Sequence, residues 1–456
     1  MIENGQHRVT VNGSTGPGTC EVVSIEIENY LGDVKRIENI VASFKIVEML
    51  YSPSLGLEMT IRDESNFFEE FQITGQETVR IKLRQKLFQG DREGKFTNEV
   101  NLEFYILEYS DYIKANKNQV QAYTFTGVPK HSYIAPLKKI SREINSATAN
   151  EIQNIMEKDL QVDKFILQGE PSSKYSGVVN WKNPLTQAMD FTKSLYDANQ
   201  SPFFLFQKLN GNIYLSSISF LINEQDNPIY RIYRDSISTF ADTLDTAAAE
   251  LDAYTRITNL NSNIELNRVS AARDGAFSSQ YQYYDLSTKT NSISNYDYVR
   301  DFKERNTLGQ RLNITEDFVV PNMALEWNKI QRANLNFRPL NKFSRGGAKN
   351  RQDIIKSNSH FRKFYMQNFK ACEHTIELNG DLKLNPGRTI ELEITKATDP
   401  TIYKEYTGRS LGRGLDEMFS GKYLVAVCEH KFRAKGASYM TTCTVVKDSW
   451  NIREEE

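Results

Sequence analysis

The sequence has little cysteine and no long apolar run. Its four cysteines, Cys20, Cys372, Cys428 and Cys443, are spread over 456 residues. This is too sparse for the disulfide framework of a small secreted domain, so folding in a reducing cytoplasm is the simpler interpretation. The chain also lacks a basic start followed by an apolar segment, and nowhere do about eighteen apolar residues run together. Neither secretion nor membrane insertion is indicated.

A net charge is also nearly absent. The chain has 56 Lys and Arg against 58 Asp and Glu, a formal charge of -2. There is no global positive field that would concentrate nucleic acid or anionic lipid. Basic and aromatic residues do alternate between Phe361 and Lys370, as they do in single-strand binders. On a helix, however, the same spacing gives an apolar stripe flanked by long basic side chains, and we favour that interpretation.

Recognisable catalytic motifs are missing. We find neither a Gly-x-Ser-x-Gly elbow nor a phosphate-binding loop, and the scattered acids form no recognisable acid/base pair. Two Cys-x-His pairs, at 372–374 and 428–430, could supply four ligands to a tetrahedral zinc ion. Their spacing fits no standard zinc motif, so packing within a sheet is the preferred interpretation. We therefore predict no catalytic residues, no metal and no cofactor.

The length predicts two to four compact units, and the periodicity predicts an α+β fold that is mostly antiparallel β. Two β domains should enclose a middle domain that mixes helix and strand. The predicted organisation is a flexible arm at 1–20, a first β domain at 21–135, a helical and hairpin domain at 136–250, a second β domain at 251–300 and 370–450, and an extension at 301–369 that packs with the middle domain.

Local patterns place several elements. Alternating apolar residues at 42–46 and 57–61 predict a β-hairpin, and Asn210-Gly211 predicts the turn of a second hairpin within 203–220. Ser65 is a candidate N-cap for a short helical turn. One or two helices are predicted after residue 136 from the spacing of Leu137, Ile140, Ile144, Ile152, Ile155, Met156 and Leu160. Asn183, followed by a proline, predicts the start of another.

One pattern occurs twice. The segment ITGQETVRIKL at 73–83 resembles LNPGRTIELEI at 384–394, because each has a glycine before an alternating strand. A chain with two similar sheet units would present six similar positions in a ring of three copies. Alternatively, two unrelated antiparallel units can look alike at this level of detail.

The last hairpin supplies a resemblance to a known family. The segments SGKYLVAVCEHKF (420–432) and SYMTTCTVVKDSW (438–450) are similar to the end of phage tail hub proteins. FFEEFQITGQETVRIKL (67–83), VVNWKNPLTQAMDFTKSLY (178–196) and FFLFQKLNGNIYLSSISF (203–220) resemble, in the same order, the baseplate hub of T-even-type contractile-tailed phages. The evidence is the order and number of these segments, since each one alone is only strand alternation and turn residues.

The resemblance implies a structural, non-enzymatic virion protein. Its two β domains would be tube-type domains, and a homotrimer would form a pseudo-sixfold ring between a hexameric tail tube, or a tube-initiator protein, and a trimeric central spike. The spike would be a separate partner carrying any lysozyme activity, because no further β-repeat follows before Glu456. Other baseplate proteins would surround the ring, and genomic DNA would pass through it without specific binding.

The candidate interface residues lie on the repeated strands. Arg80 and Lys82 in the first repeat, and Glu391 and Glu393 in the second, should point outward with opposite charges. Such charges suit neighbouring units that meet around a ring. The alternative from another functional class is a tail-associated peptidoglycan hydrolase.

Overall fold

The computed structural model describes residues 20–86, 96–115, 120–171, 174–199, 201–223, 228–232, 255–264, 278–285, 289–297, 306–309, 338–340, 362, 365–366, 368–369, 372–394, 416, 418–433 and 438–450. The predicted arm, apart from Cys20, and most of the predicted extension at 301–369 lie outside these residues. Among the helices described, none is long and apolar enough to cross a membrane.

The N-terminal part is a curled antiparallel sheet, which we call the N-terminal sheet. Its strands alternate buried and half-exposed residues, as in β7, so that each contributes one face to a shared core. The sheet runs in the order β3-β4-β7-β6-β5-β1-β2. Its elements are β1 (Cys20–Glu28), β2 (Val34–Arg36), β3 (Val41–Met49), β4 (Gly56–Asp63), α1 (Phe67–Glu70), β5 (Thr78–Lys86), β6 (Phe96–Ala115) and β7 (Val120–Val128).

A middle unit follows with its own apolar core. Strand β8 pairs with β10, and a second small sheet has the order β11-β12-β9. Helices α3 and α4 share one apolar core with these strands. Its elements are α2 (Lys130–Ile134), a 3-10 turn (Ala135–Leu137), β8 (Ile140–Ala147), α3 (Thr148–Asn154), a π-helical turn (Ile155–Asp159), β9 (Phe165–Gln168), β10 (Lys174–Lys182), α4 (Pro184–Thr192), β11 (Phe203–Gln207), β12 (Ile213–Ser217) and α5 (Ile218–Ile222).

The remaining strands form a closed barrel and a separate small sheet. Six of them pair in the cycle β19-β13-β14-β18-β21-β20 and back to β19, which we call the C-terminal barrel. The small sheet has the order β16-β15-β17. The strands are β13 (Ile229–Ile232), β14 (Arg256–Asn263), β15 (Ser278–Asp285), β16 (Thr290–Asp297), β17 (Arg338–Leu340), β18 (Glu373–Asn379), β19 (Thr389–Glu393), β20 (Gly421–Arg433) and β21 (Ser438–Val446).

Strand β20 belongs to both β units. Its first part pairs with β19 inside the barrel, its last part pairs with β3 of the N-terminal sheet, and β21 lies along its other edge. Its inward residues accordingly divide, since Tyr423 and Val425 join the barrel core and Phe432 joins the core of the N-terminal sheet. One continuous strand therefore joins the first third of the chain to its last part.

The fold class is confirmed as α+β and mostly antiparallel, and several local predictions hold. Strands β3 and β4 form the predicted hairpin, and β11 and β12 form the second one, with Gly211 in the left-handed region at φ +82°. The Asn183 side chain caps α4 by accepting hydrogen bonds from the backbone N–H groups of Leu185 and Thr186.

Two local predictions are wrong. The predicted helical stretch does contain α3 (Thr148–Asn154), but residues 140–147 at its start form strand β8, which pairs with β10. Ile140 and Ile144 are both buried, and a spacing of four residues places side chains on one face of a strand as well as of a helix. Ser65 is not the cap of α1. Asn66 holds that position, and the Asp63 carboxylate accepts the N–H of Phe68 instead.

Candidate assembly interface

The outer face of β5 carries a row of basic side chains. Alternation along the strand turns Val79, Ile81 and Leu83 into the core and leaves Arg80 and Lys82 on the outside. Both side chains point outward, as the alternation of apolar and polar residues in the sequence predicted.

Each of these basic residues already has an acidic partner within the chain. Arg80 Nη2 lies 2.6 Å from Glu28 Oε2 on β1, and Arg80 Nε lies 3.0 Å from Glu103 Oε1 on β6. Hydrogen bonds to Glu103 and then Glu28 raise the pKa of Arg80. Because the strands are in register, the charges form cross-strand ion pairs.

Lys82 also forms an ion pair with an acidic residue on a neighbouring strand. Its Nζ lies 2.5 Å from Glu99 Oε1, and this hydrogen bond lowers the pKa of Glu99. Beside the ion pairs, an open groove of about 490 Å³ runs over β1, β2, β5 and β6. The face is therefore charged but internally balanced, so a partner would exchange existing ion pairs, and these exposed pairs add little stability themselves.

The two acidic candidates lie in the other β unit. Glu391 and Glu393 occupy β19, where hydrogen-bonded strands flank both edges, β13 on one side and β20 on the other. Glu391 is exposed and Glu393 half-buried. The structure thus groups the candidates as two pairs, one on β5 and one on β19. These strands lie far apart in the strand order.

A buried polar seam joins the two β units, and no sequence motif pointed to it. Gln85, at the end of β5, donates from Nε2 to Gly380 O at 2.7 Å and accepts from Leu382 N at 2.8 Å. Beside it, Phe432 stacks between Phe44 and Tyr439. An amide side chain and three stacked rings therefore join the core of the N-terminal sheet to the last part of the chain.

A buried histidine–carboxylate contact lies in the same region. His430 Nε2 is 2.9 Å from Glu48 Oε1, and both side chains are fully buried. The other ring nitrogen, Nδ1, is 2.8 Å from Tyr439 Oη, and Glu48 Oε2 accepts the N–H of Leu209 at 2.6 Å. The Glu48 carboxylate thus connects β3, β20 and the β11–β12 hairpin of the middle unit.

The two Cys-x-His pairs do not form a joint metal site. His374 contacts Ser262 Oγ and Tyr423 Oη, and Cys372 Sγ lies 3.3 Å from the same hydroxyl. Burial raises the pKa of Cys372 and lowers that of His374 to about 4. Within the residues that the structure describes, no group of three or more His, Cys, Asp or Glu side chains is arranged to hold a metal ion.

The aromatic and basic segment near residue 365 is used for packing. Tyr365 and Phe369 are buried in an apolar layer between the middle unit and the barrel. Arg362 donates to Phe203 O at 2.8 Å and stacks over Phe204, and burial lowers its pKa to about 10. Phe361, Lys363, Phe364 and Lys370 lie outside the described residues.

A solved structure has a similar fold. No protein-family profile and no curated protein matches the sequence. The tail protein from Neisseria meningitidis MC58 superposes with a TM-score of 0.50 at 9% identity, covering 94% of this chain and 98% of that one. The chain therefore has the fold of this tail protein.

Two other structures are similar at lower scores. The 43 kDa tail protein of prophage MuSo2 from Shewanella oneidensis has a TM-score of 0.48 at 10% identity and covers 94% of this chain and 100% of that one. The E. coli c3393 protein, a component of the type VI secretion system, has a TM-score of 0.41 at 9% identity and covers 91% and 76%.

Proposed function

We propose that this chain is a structural baseplate hub subunit of a contractile phage tail. Three copies would form a pseudo-sixfold ring that joins a hexameric tail tube to a trimeric central spike, with other baseplate proteins around it and DNA passing through it. The protein would act through its interfaces and without catalysis, as part of the virion.

The observation that carries the proposal is the pair of β units in one chain, joined through the shared strand β20. A ring of three chains has three identical interfaces, but two similar units per chain supply six positions. The fold match to the Neisseria tail protein spans nearly all of both chains, so it includes both units.

The two segments of the sequence repeat share a glycine turn of the same backbone geometry. Gly75 precedes β5 and Gly387 precedes β19, and both adopt left-handed backbone, at φ +91° and +83°. Each strand then alternates buried and outward residues. Duplication of the whole β unit stays a prediction that these two turns support.

The first experiment is a mass measurement on the full chain. Light scattering over a range of concentrations should give three times the chain mass, and negative-stain images should show rings with threefold symmetry. A monomer at every concentration, including in the presence of the candidate spike protein, would contradict the ring. A clearing band on a peptidoglycan zymogram would instead support a hydrolase.

The candidate interface residues can be tested with a charge swap. Lys82→Glu removes the ion pair with Glu99 and should weaken trimers if Lys82 contacts a neighbouring subunit. The control, Lys82→Glu with Glu99→Lys, restores a pair of opposite charges within the chain. Trimers that return in the double variant would assign Lys82 an intrachain role, and trimers that stay weak would support an interface.

A further inference from the structure

Two buried cysteines face each other across the last hairpin. Cys428 on β20 and Cys443 on β21 are directly opposed in the antiparallel register, with their Sγ atoms 3.0 Å apart. Both are fully buried and neither forms a disulfide in the structure.

The backbone geometry allows a bond between them. Directly opposed residues of an antiparallel pair have Cα atoms about 4.5 or 5.5 Å apart, depending on the type of pair. Disulfides span Cα separations of about 4.4 to 6.8 Å. The strands therefore need no change of register for the two sulfur atoms to bond.

We propose that Cys428 and Cys443 form a cross-strand disulfide when the folded protein meets a small disulfide oxidant, such as oxidised glutathione. A thiolate of the pair attacks the oxidant and releases one reduced thiol. The second thiolate then attacks the mixed disulfide and releases the other. Both protons and both electrons of the pair end on the two released thiols, and one S–S bond is exchanged for another.

Oxidation of these two thiols should be slow, and the resulting bond should hold β20 and β21 together. Burial raises the pKa of Cys428 well above its ordinary value, so the thiolate forms only when the strands open locally. The bond would then tie β20 to β21 beside the Glu48–His430 pair, at the place where β20 passes from the barrel to the N-terminal sheet. Fifteen positions separate the two cysteines, so the bond would close a short chain loop.

The test uses reduced full-length protein incubated with oxidised glutathione, with and without urea below the unfolding midpoint. Remaining thiols are alkylated after denaturation and located by peptide mass. We expect two of the four thiols to disappear, Cys428 and Cys443, with a cross-linked peptide joining them. Cys20 and Cys372, which are also buried, serve as internal controls and should stay alkylatable.

Cys443→Ala provides the matched control. In this variant the cross-linked peptide must vanish. Oxidised wild-type protein should melt at a higher temperature than the reduced form, and the variant should show no such shift. Four alkylatable thiols after incubation in urea, or a glutathione adduct that persists on one cysteine, would overturn the proposal. Equal melting temperatures of the oxidised and reduced forms would overturn the strand-tying role.

Discussion

The two β units of this protein differ in how far their strands close on themselves. The C-terminal barrel is closed by backbone hydrogen bonds, since β19 pairs with both β13 and β20. Among the described strands the N-terminal sheet ends at β2, and side chains of β5, β20 and β21 connect its core to the last part of the chain. Every residue except proline can supply both a backbone N–H and a C=O to such a ladder, whereas contacts between side chains depend on particular residues at particular positions.

Gly380 illustrates that dependence. A Cβ atom at this position would lie 1.9 Å from Cδ1 of Tyr439, whose ring is buried and stacked on Phe432. Residue 380 must be glycine because the ring occupies the space of a side chain. The seam between the two β units is therefore the place where single substitutions should have the largest effects.

The largest expected effect is at the buried contact between Glu48 and His430. Glu48→Ala leaves His430 and the N–H of Leu209 buried without their acceptor, which should cost about 1–3 kcal/mol of unfolding free energy for each of the two groups. Glu58→Ala is the control, because Glu58 pairs with Lys45 on the exposed face of β4 and should cost less than about 1 kcal/mol. Similar losses in both variants, measured by urea denaturation, would contradict the seam's importance.

A pH-dependent effect is expected inside the barrel. Burial lowers the pKa of His374 to about 4 from an ordinary value of 6.5, so the unfolded chain takes up this proton first as the pH falls. The contribution is fully present above pH 6.5 and is lost between pH 6.5 and 4, by about 3 kcal/mol.

The measurement is the unfolding free energy at several pH values for wild type and His374→Gln. The variant should lose the part of the acid dependence that His374 supplies, because glutamine does not titrate. Parallel curves for the two proteins across this range would show that His374 is not buried as a neutral ring.

A smaller effect is expected at the amide of the seam. Gln85→Leu replaces the amide with an apolar side chain of similar size and leaves Gly380 O and Leu382 N without their partner, at a cost of about 2 kcal/mol. The same change at Gln76, which is exposed, should alter stability by less than about 0.5 kcal/mol. Equal changes in unfolding free energy at both positions would show that the Gln85 hydrogen bonds do not stabilise the seam.

The smallest effect is expected on the charged face. Lys82→Ala breaks one exposed ion pair and should change the unfolding free energy by less than about 1 kcal/mol, and less still in high salt. A larger loss in the monomeric state would mean that the outer face of β5 has a structural role. Because Lys82→Ala should leave the unfolding free energy nearly unchanged, any effect of this variant on trimer formation can be assigned to assembly and not to stability.

Much of the fold could be predicted from local pattern. The alternation in β3, β4 and β5 and the Asn-Gly hairpin turn depend on neighbours within a few residues, so they are visible in the sequence. Residues 140–147 were misread because Ile140 and Ile144 satisfy both periods, and the pairing with β10 decides between them. For the candidate interface residues, the sequence predicted only that their side chains point outward. It could not predict their ion pairs, because the partners Glu28, Glu99 and Glu103 come from other strands.

The sequence by itself determined the class of fold, the inward faces of the strands and the nearly neutral charge, because these follow from composition and short-range periodicity. Only the tertiary structure decided that β20 is shared, that Glu48 meets His430 and that Cys428 faces Cys443. Glu48 and His430 are 382 positions apart, and no local preference encodes a contact at that distance. Such contacts arise when the first third and the last part of the chain bury their apolar faces in one common sheet.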